Sequence, residues 1–161
     1  MNTLSIHVDG VPMPKGSLSR MPNGAMLPAG TAKSRAAVGA WRQDVRAAAK
    51  DAMGERPVMT GALRVQVDCT LPYPHSSIPK YRLGWAPAIK KPDIDKLVRG
   101  VLDHLTGIVW ADDAQVCFLM VNKSYAWDDR PGAYIIVSEM NDDYLRELGE
   151  QTRVIRGALN E

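Results

Sequence analysis

The sequence predicts an α/β protein of the α+β kind, a single domain with a mixed sheet of about four strands flanked by two main helices. Three observations carry this expectation. Residues 33–53 and 93–105 repeat apolar side chains at helical spacing. Four other segments alternate or run apolar over strand lengths. The elements follow in the order β, α, β, α, β, β, which suits helices laid over one sheet. A chain of 161 residues is long enough for one well-buried core and short for two. Residues 1–161 are therefore read as one domain, with a polar tail from about residue 142.

The first strand is SIHVDGV, after which VPMPKGSLSRMPNGAMLPAG places four prolines and three glycines in twenty residues, a composition that interrupts regular structure. Within it Pro22-Asn23-Gly24 has the chemistry of a hairpin tip, since Asn and Gly tolerate positive φ. The first helix, KSRAAVGAWRQDVRAAAKDAM, sets Val38, Trp41, Val45, Ala49 and Ala52 on one side and stops at Gly54. Arg42, Arg46 and Lys50 recur on its polar side and read as a solvated face. ALRVQVDCTLPY alternates like a strand with one wet face. The eighteen residues that follow, PHSSIPKYRLGWAPAIKK, form a connection with four cations, no acid, and Trp85 as a core anchor or base-stacking ring. Leu97, Val98, Val101, Leu102 and Leu105 then mark a second helix, ending at Gly107. Residues Val116 to Val121 are apolar on both alternating faces, as an interior strand requires. AYIIVSEM returns as its hairpin partner, and the tail from Asp142 reads as a short helix.

Composition narrows the function. The opening MNTLSIHVDG lacks the basic start and apolar run of a secretion signal, and no segment has the length of a membrane span, so a soluble, cytoplasmic protein is expected. Cys69 and Cys117 stand alone in apolar stretches and are expected to be reduced and buried. Residues 1–100 carry 15 Lys and Arg against 7 Asp and Glu, whereas residues 101–161 carry 5 against 11. The basic first part suits an anionic partner.

Chemistry concentrates in KKPDIDKLVRGVLDHL, residues 90–105. Pro92 disfavours helical geometry at Lys91, so the helix begins at about Asp93. An Asp there suits the N-cap, and Asp95 suits the positive end of the helix dipole. At the junction of extended chain and first turn the two carboxylates can also converge, and two close anions need a cation between them. Mg²⁺ or Mn²⁺, hard ions that choose oxygen ligands, would supply it, with Asp112 or Asp113 as a third carboxylate. Arg99, four residues after Asp95, would place a guanidinium beside that ion, able to grip a phosphate oxygen.

The run KPDIDKLVRGVLDHLTGIVWADDAQV resembles the core motif of the RusA family of Holliday junction resolvases, common in bacteria and their phages. With the lead-in VPMPKGSLSR, its hairpin and the helix after it, the resemblance spans roughly residues 5–140. It implies a homodimeric, Mg²⁺-dependent endonuclease, with Mn²⁺ as substitute, that makes paired nicks across a four-way DNA junction in recombination and repair. On this resemblance the essential acidic residues fall on Asp93, Asp95 and Asp113, with Asp112 a less critical neighbour. The family's catalytic lysine corresponds to Arg99, which keeps the charge but does not readily lose its proton. Lys96 stands where the family often has Asn. The expected DNA contacts, read from the placement of cations in the chain, are Lys15, Arg20, Lys33, Lys90, Lys91 and Lys96, with no membrane or organic cofactor expected. Two alternatives stand beside this reading: a metal-dependent nuclease for forks or flaps, and a catalytically silent DNA-binding homologue.

Overall fold

The computed structural model describes residues 2–15, 18–20, 26–28, 31–73, 86–126 and 130–158. Its strands are β1 (Thr3–Asp9), β2 (Leu18–Arg20), β3 (Met26–Pro28), β4 (Leu63–Leu71), β5 (Ala86–Pro87), β6 (Val116–Tyr125) and β7 (Gly132–Glu139). Its α-helices are α1 (Ala32–Met53), α2 (Ile94–Leu105) and α3 (Asp142–Ala158), and a 3₁₀ turn, Asp113–Gln115, leads into β6. The α+β class is borne out. Four long strands form one mixed sheet in the order β1-β7-β4-β6, with the two-residue β5 added at the edge. β4 and β6 run parallel, while the other pairs are antiparallel.

The period-two pattern of β4 sets the core. Leu63, Val65, Val67 and Cys69 are buried, and register places Val67 between Ile135 of β7 and Val121 of β6. Leu4, Ile6 and Val8 of β1 extend the same face. Trp41, Val45, Ala49 and Met53 of α1 and Leu97, Val101 and Leu105 of α2 pack in one cluster with these strands. Each fully buried large side chain of this kind contributes roughly 1.5–3 kcal/mol. On the other face Gln66 and Asn122 both donate to Asp68, at 2.8 and 2.6 Å. Arg64 lies 5.2 Å over the Phe118 ring and donates to the Tyr144 hydroxyl of α3.

Local chemistry fixes the element ends. Thr31 caps α1 by accepting from the Ser34 N–H at 3.1 Å, and Gly54, at φ 53°, closes it through a bond to the Lys50 carbonyl. At Gly132 β7 passes so close to β1 that a Cβ would stand 2.6 Å from the Val8 carbonyl oxygen. β2 and β3 pair on either side of the expected hairpin tip, whose residues 22–24 lie outside the described ones, as does Trp85.

Two expectations are corrected. Among the described residues, β6 is not flanked on both sides along its length. β4 flanks one side of it throughout, but β5 covers only Ser124 and Tyr125 on the other, and Leu119 and Met120 are 43 % and 39 % exposed. Apolar residues on both faces cannot by themselves tell a covered strand from an edge. Cys117 lies on this open edge and is exposed, while Cys69 is buried as expected. Among the described residues, no helix is long and apolar enough to cross a membrane.

Candidate active site at the mouth of α2

Pro92, after a cis Lys91–Pro92 peptide, brings the chain to Asp93 in an extended conformation (φ −70°, ψ 143°), and the Asp93 carbonyl accepts the first helical bond, from Leu97, at 3.1 Å. Asp93 thus occupies the N-cap, yet its side chain makes no capping bond. Its carboxylate instead meets the Lys96 ammonium at 3.0 Å. That hydrogen bond, the Lys96 charge, and the charges of Lys91 and Lys123 together hold the Asp93 carboxyl below its ordinary value. Helix capping therefore does not account for this carboxylate. Asp95 and Arg99 follow on the first turns of α2, both exposed and, among the described residues, in no ion pair.

Two features hold the mouth in place. Lys123 of β6 donates to the backbone carbonyls of Lys90 and Pro92 at 2.9 and 2.8 Å, pinning the turn before Asp93. Sequence reasoning missed it. The available sign was a lone cation sharing strand parity with Leu119 and Val121, on the face turned toward the helices. On the other side the lead-in Val11–Lys15 runs against α2, the Lys15 N–H bonding the Lys96 carbonyl at 2.9 Å and the Lys15 ammonium pairing with the Asp103 carboxylate. Gly100 permits this crossing, since a Cβ there would lie 3.2 Å from the Met13 carbonyl oxygen and 3.3 Å from the Lys15 nitrogen. Between the lead-in, the end of β4 and the α2 mouth lies an open groove of about 590 Å³. Val11, Pro12, Met13, Pro14, Leu71, Pro72 and Tyr125 supply apolar wall, and Lys90, Lys91, Pro92, Asp93 and Lys96 complete it.

The third carboxylate is elsewhere. Asp113 Oδ1 accepts from the Thr106 hydroxyl and from Trp110 Nε1 at 2.9 Å, at the far end of α2. Twelve helical residues at 1.5 Å each separate the two ends by about 18 Å. Asp112 caps the 3₁₀ turn, accepting from the Ala114 N–H at 2.8 Å while Gln115 closes a capping box. The expectation that Asp93, Asp95 and Asp113 meet at the helix mouth is thus corrected for one chain: α2 carries the chain away, and the 106–112 segment turns into β6 without returning. Among the described residues no group of three His, Cys, Asp or Glu side chains is placed to hold a metal ion. Of the expected DNA contacts, Lys90 and Lys91 are exposed beside the groove, Lys96 is engaged with Asp93, and Lys15 is tied to Asp103. Lys33 is exposed on the first turn of α1, away from the groove lining. The Arg20 side chain lies outside the described ones.

Residues 10–138 match the family model described as endodeoxyribonuclease RusA. The chain belongs to the RusA family. The RusA match runs from the end of β1 nearly to the end of β7 and takes in both core helices, the groove and all the candidate acidic residues, leaving α3 outside. A relative, the uncharacterized protein YqaN of Bacillus subtilis (strain 168), is 30% identical over 90 residues, which are 52% of this chain and 62% of YqaN. The chain thus spans somewhat under two thirds of the length of this curated relative.

Proposed function

We propose that the protein is a Mg²⁺-dependent endodeoxyribonuclease that acts as a homodimer on branched DNA, making paired nicks across four-way junctions. The observation that carries this reading is Asp93: an N-cap carboxylate that caps nothing, held ionised by lysines, two positions before exposed Asp95 and beside a lysine-rimmed groove. RusA family membership supports the endonuclease class.

Exposed carboxylates two residues apart offer oxygen ligands suited to Mg²⁺, with Mn²⁺ as substitute. One chain supplies only that pair from the proposed set, and in this reading the third carboxylate, Asp113, reaches the ion from a second copy. The edge of β6 that is open among the described residues suits such an arrangement. Its Lys123 end touches the turn before Asp93, and its Val116 end directly follows the Asp113–Gln115 turn, so antiparallel pairing of two β6 edges about a two-fold axis would set unlike ends together. A symmetric dimer also provides the two sites that two cuts require.

In the hydrolysis proposed, phosphorus gains a hydroxyl from water, the bond to the leaving oxygen breaks, and that oxygen takes up a proton. A divalent cation, when bound, supplies positive charge where oxygen charge develops. Arg99, one turn from Asp95, would bind a non-bridging phosphate oxygen through its planar fork, and Lys90 and Lys91 would hold adjacent phosphates.

The test is Asp93→Asn, assayed with Mg²⁺ on a synthetic four-way junction beside fork, flap and duplex substrates. Folding and binding should persist while cutting falls by about two orders of magnitude. Undiminished cutting would remove Asp93 from the reaction, and equal cleavage of duplex and junction by the unaltered protein would remove the structure specificity.

A further inference from the structure

We infer that the groove beside Asp93 receives one unstacked base of the cut strand and so contributes to the choice of branched DNA. This rests on the proposed nuclease reading and adds the ligand of the groove. The groove has two chemistries side by side. Its walls are apolar, with Met13, Pro14 and Leu71 among them, and Tyr125 is braced by the Tyr73 ring at 5.2 Å between centroids. Its lining also carries three lysines against one carboxylate, and that carboxylate is already paired with Lys96.

Alternative occupants match only half of this. A free phosphate would use the lysines and leave the apolar walls wet, whereas an apolar peptide side chain would cover the walls and desolvate ammonium groups without a counter-charge. A nucleotide matches both, its base lying on apolar and aromatic surface and its flanking phosphates meeting the lysines. The volume of about 590 Å³ falls in the range of small-ligand sites. Position points the same way, because Asp93 forms part of the lining and a base held there belongs to a nucleotide next to the attacked phosphate. Selectivity follows from the state of the base before binding. In continuous duplex it must first be unpaired and unstacked, whereas at a branch point it is partly released already, so the groove is filled at lower cost by a branched substrate.

Photocrosslinking tests this directly. A 5-iodouracil is placed at successive positions around the branch point of a four-way junction and irradiated with the full-length protein without divalent metal, and the crosslinked peptides are identified by mass spectrometry. Crosslinks from one or two positions flanking the cut to residues 11–14, 71–72 or 125 are expected, and their absence from all three segments overturns the inference. A second variant reads selectivity. Val11 is 44 % exposed at the groove, so Val11→Trp fills it from a tolerant position. The ratio of junction to duplex affinity should then fall on the order of tenfold while duplex affinity stays within about twofold. An unchanged ratio in a folded variant, or equal loss of both affinities, overturns the inference. Failure of the unaltered protein to bind or cut any branched DNA would instead remove the nuclease reading beneath it.

Discussion

Asp93 and Asp113 carry similar motifs in the sequence and have opposite fates in the fold. Asp93 is recognisable because Pro92 forces the helix to start there and because a second Asp follows two positions on. What the sequence could not show is that its carboxylate leaves the backbone uncapped and turns to Lys96, a choice of rotamer and not of composition. Asp113 was equally recognisable as an acid at a strand entrance, but its hydrogen bonds to Thr106 and Trp110 depend on where α2 ends in space. His104, also at that end, gives a prediction of its own. Burial, then the charge of Arg42, with a smaller contribution from Arg46 and against the pull of Asp103, holds its imidazole below the ordinary value of 6.5. The unfolded chain then takes up this proton at higher pH than the folded one does. The associated stability is present above pH 6.5 and is lost as the pH falls through the lower folded value. His104→Gln should flatten the fall in Tm between about pH 7 and about pH 5 relative to the unaltered protein. Parallel curves would mean that His104 does not contribute to it.

At the scale of elements, what the sequence reveals depends on whether a boundary is written locally. α1 and α2 were legible because Gly54 and Pro92 mark their ends through backbone conformation alone, and β4 because its alternation reports one buried face. β6 was legible as a strand but not as an edge, since its missing neighbour is a matter of how far β5 extends. The turn before α2 illustrates the same division: its prolyl residue is local, but the lysine that fastens it arrives from β6, more than thirty residues on. Lys123→Met should therefore loosen the turn although it adds apolar surface to a strand. Loss of two charge-assisted bonds predicts destabilisation of about 1–3 kcal/mol in urea unfolding. Cutting should fall further than in Lys123→Arg, which retains a donor. Equal activity in the two variants would show that the turn is held by other contacts.

For the whole molecule, the separation of the acidic ends of α2 makes a prediction that a self-contained site would not. Asp113→Asn keeps an acceptor for Thr106 and Trp110 and should fold, but neither it nor Asp93→Asn should cut alone. If each site draws on two copies, mixing the two inactive proteins after subunit exchange restores one complete site in each mixed dimer. Single nicks at about a quarter of the unaltered rate are expected from random pairing. No recovery, with exchange shown to have occurred, would place the whole site in one chain. Leu119→Lys on the exposed edge should shift sedimentation from dimer to monomer and abolish cutting, and an unaffected dimer would move the interface away from β6. Binding itself should weaken with salt, with a log–log slope near −0.9 for each duplex phosphate neutralised, and an affinity unchanged up to about 0.2 M salt would exclude the lysine clamp.

The register of the sheet also bears on how the protein is made. β1 pairs along its whole length with β7, from Thr3 opposite Ser138 to Asp9 opposite Gly132. A ribosome adding roughly 5–20 residues per second has therefore to pass through every other strand of the sheet before β1 can find its neighbour. Until then Leu4, Ile6 and Val8 emerge with no sheet to join, available to chaperones or to other nascent chains. A rearranged gene that moves this strand behind β7 would shorten the wait to a hairpin, and should yield more soluble protein from rapid expression without altering the folded site.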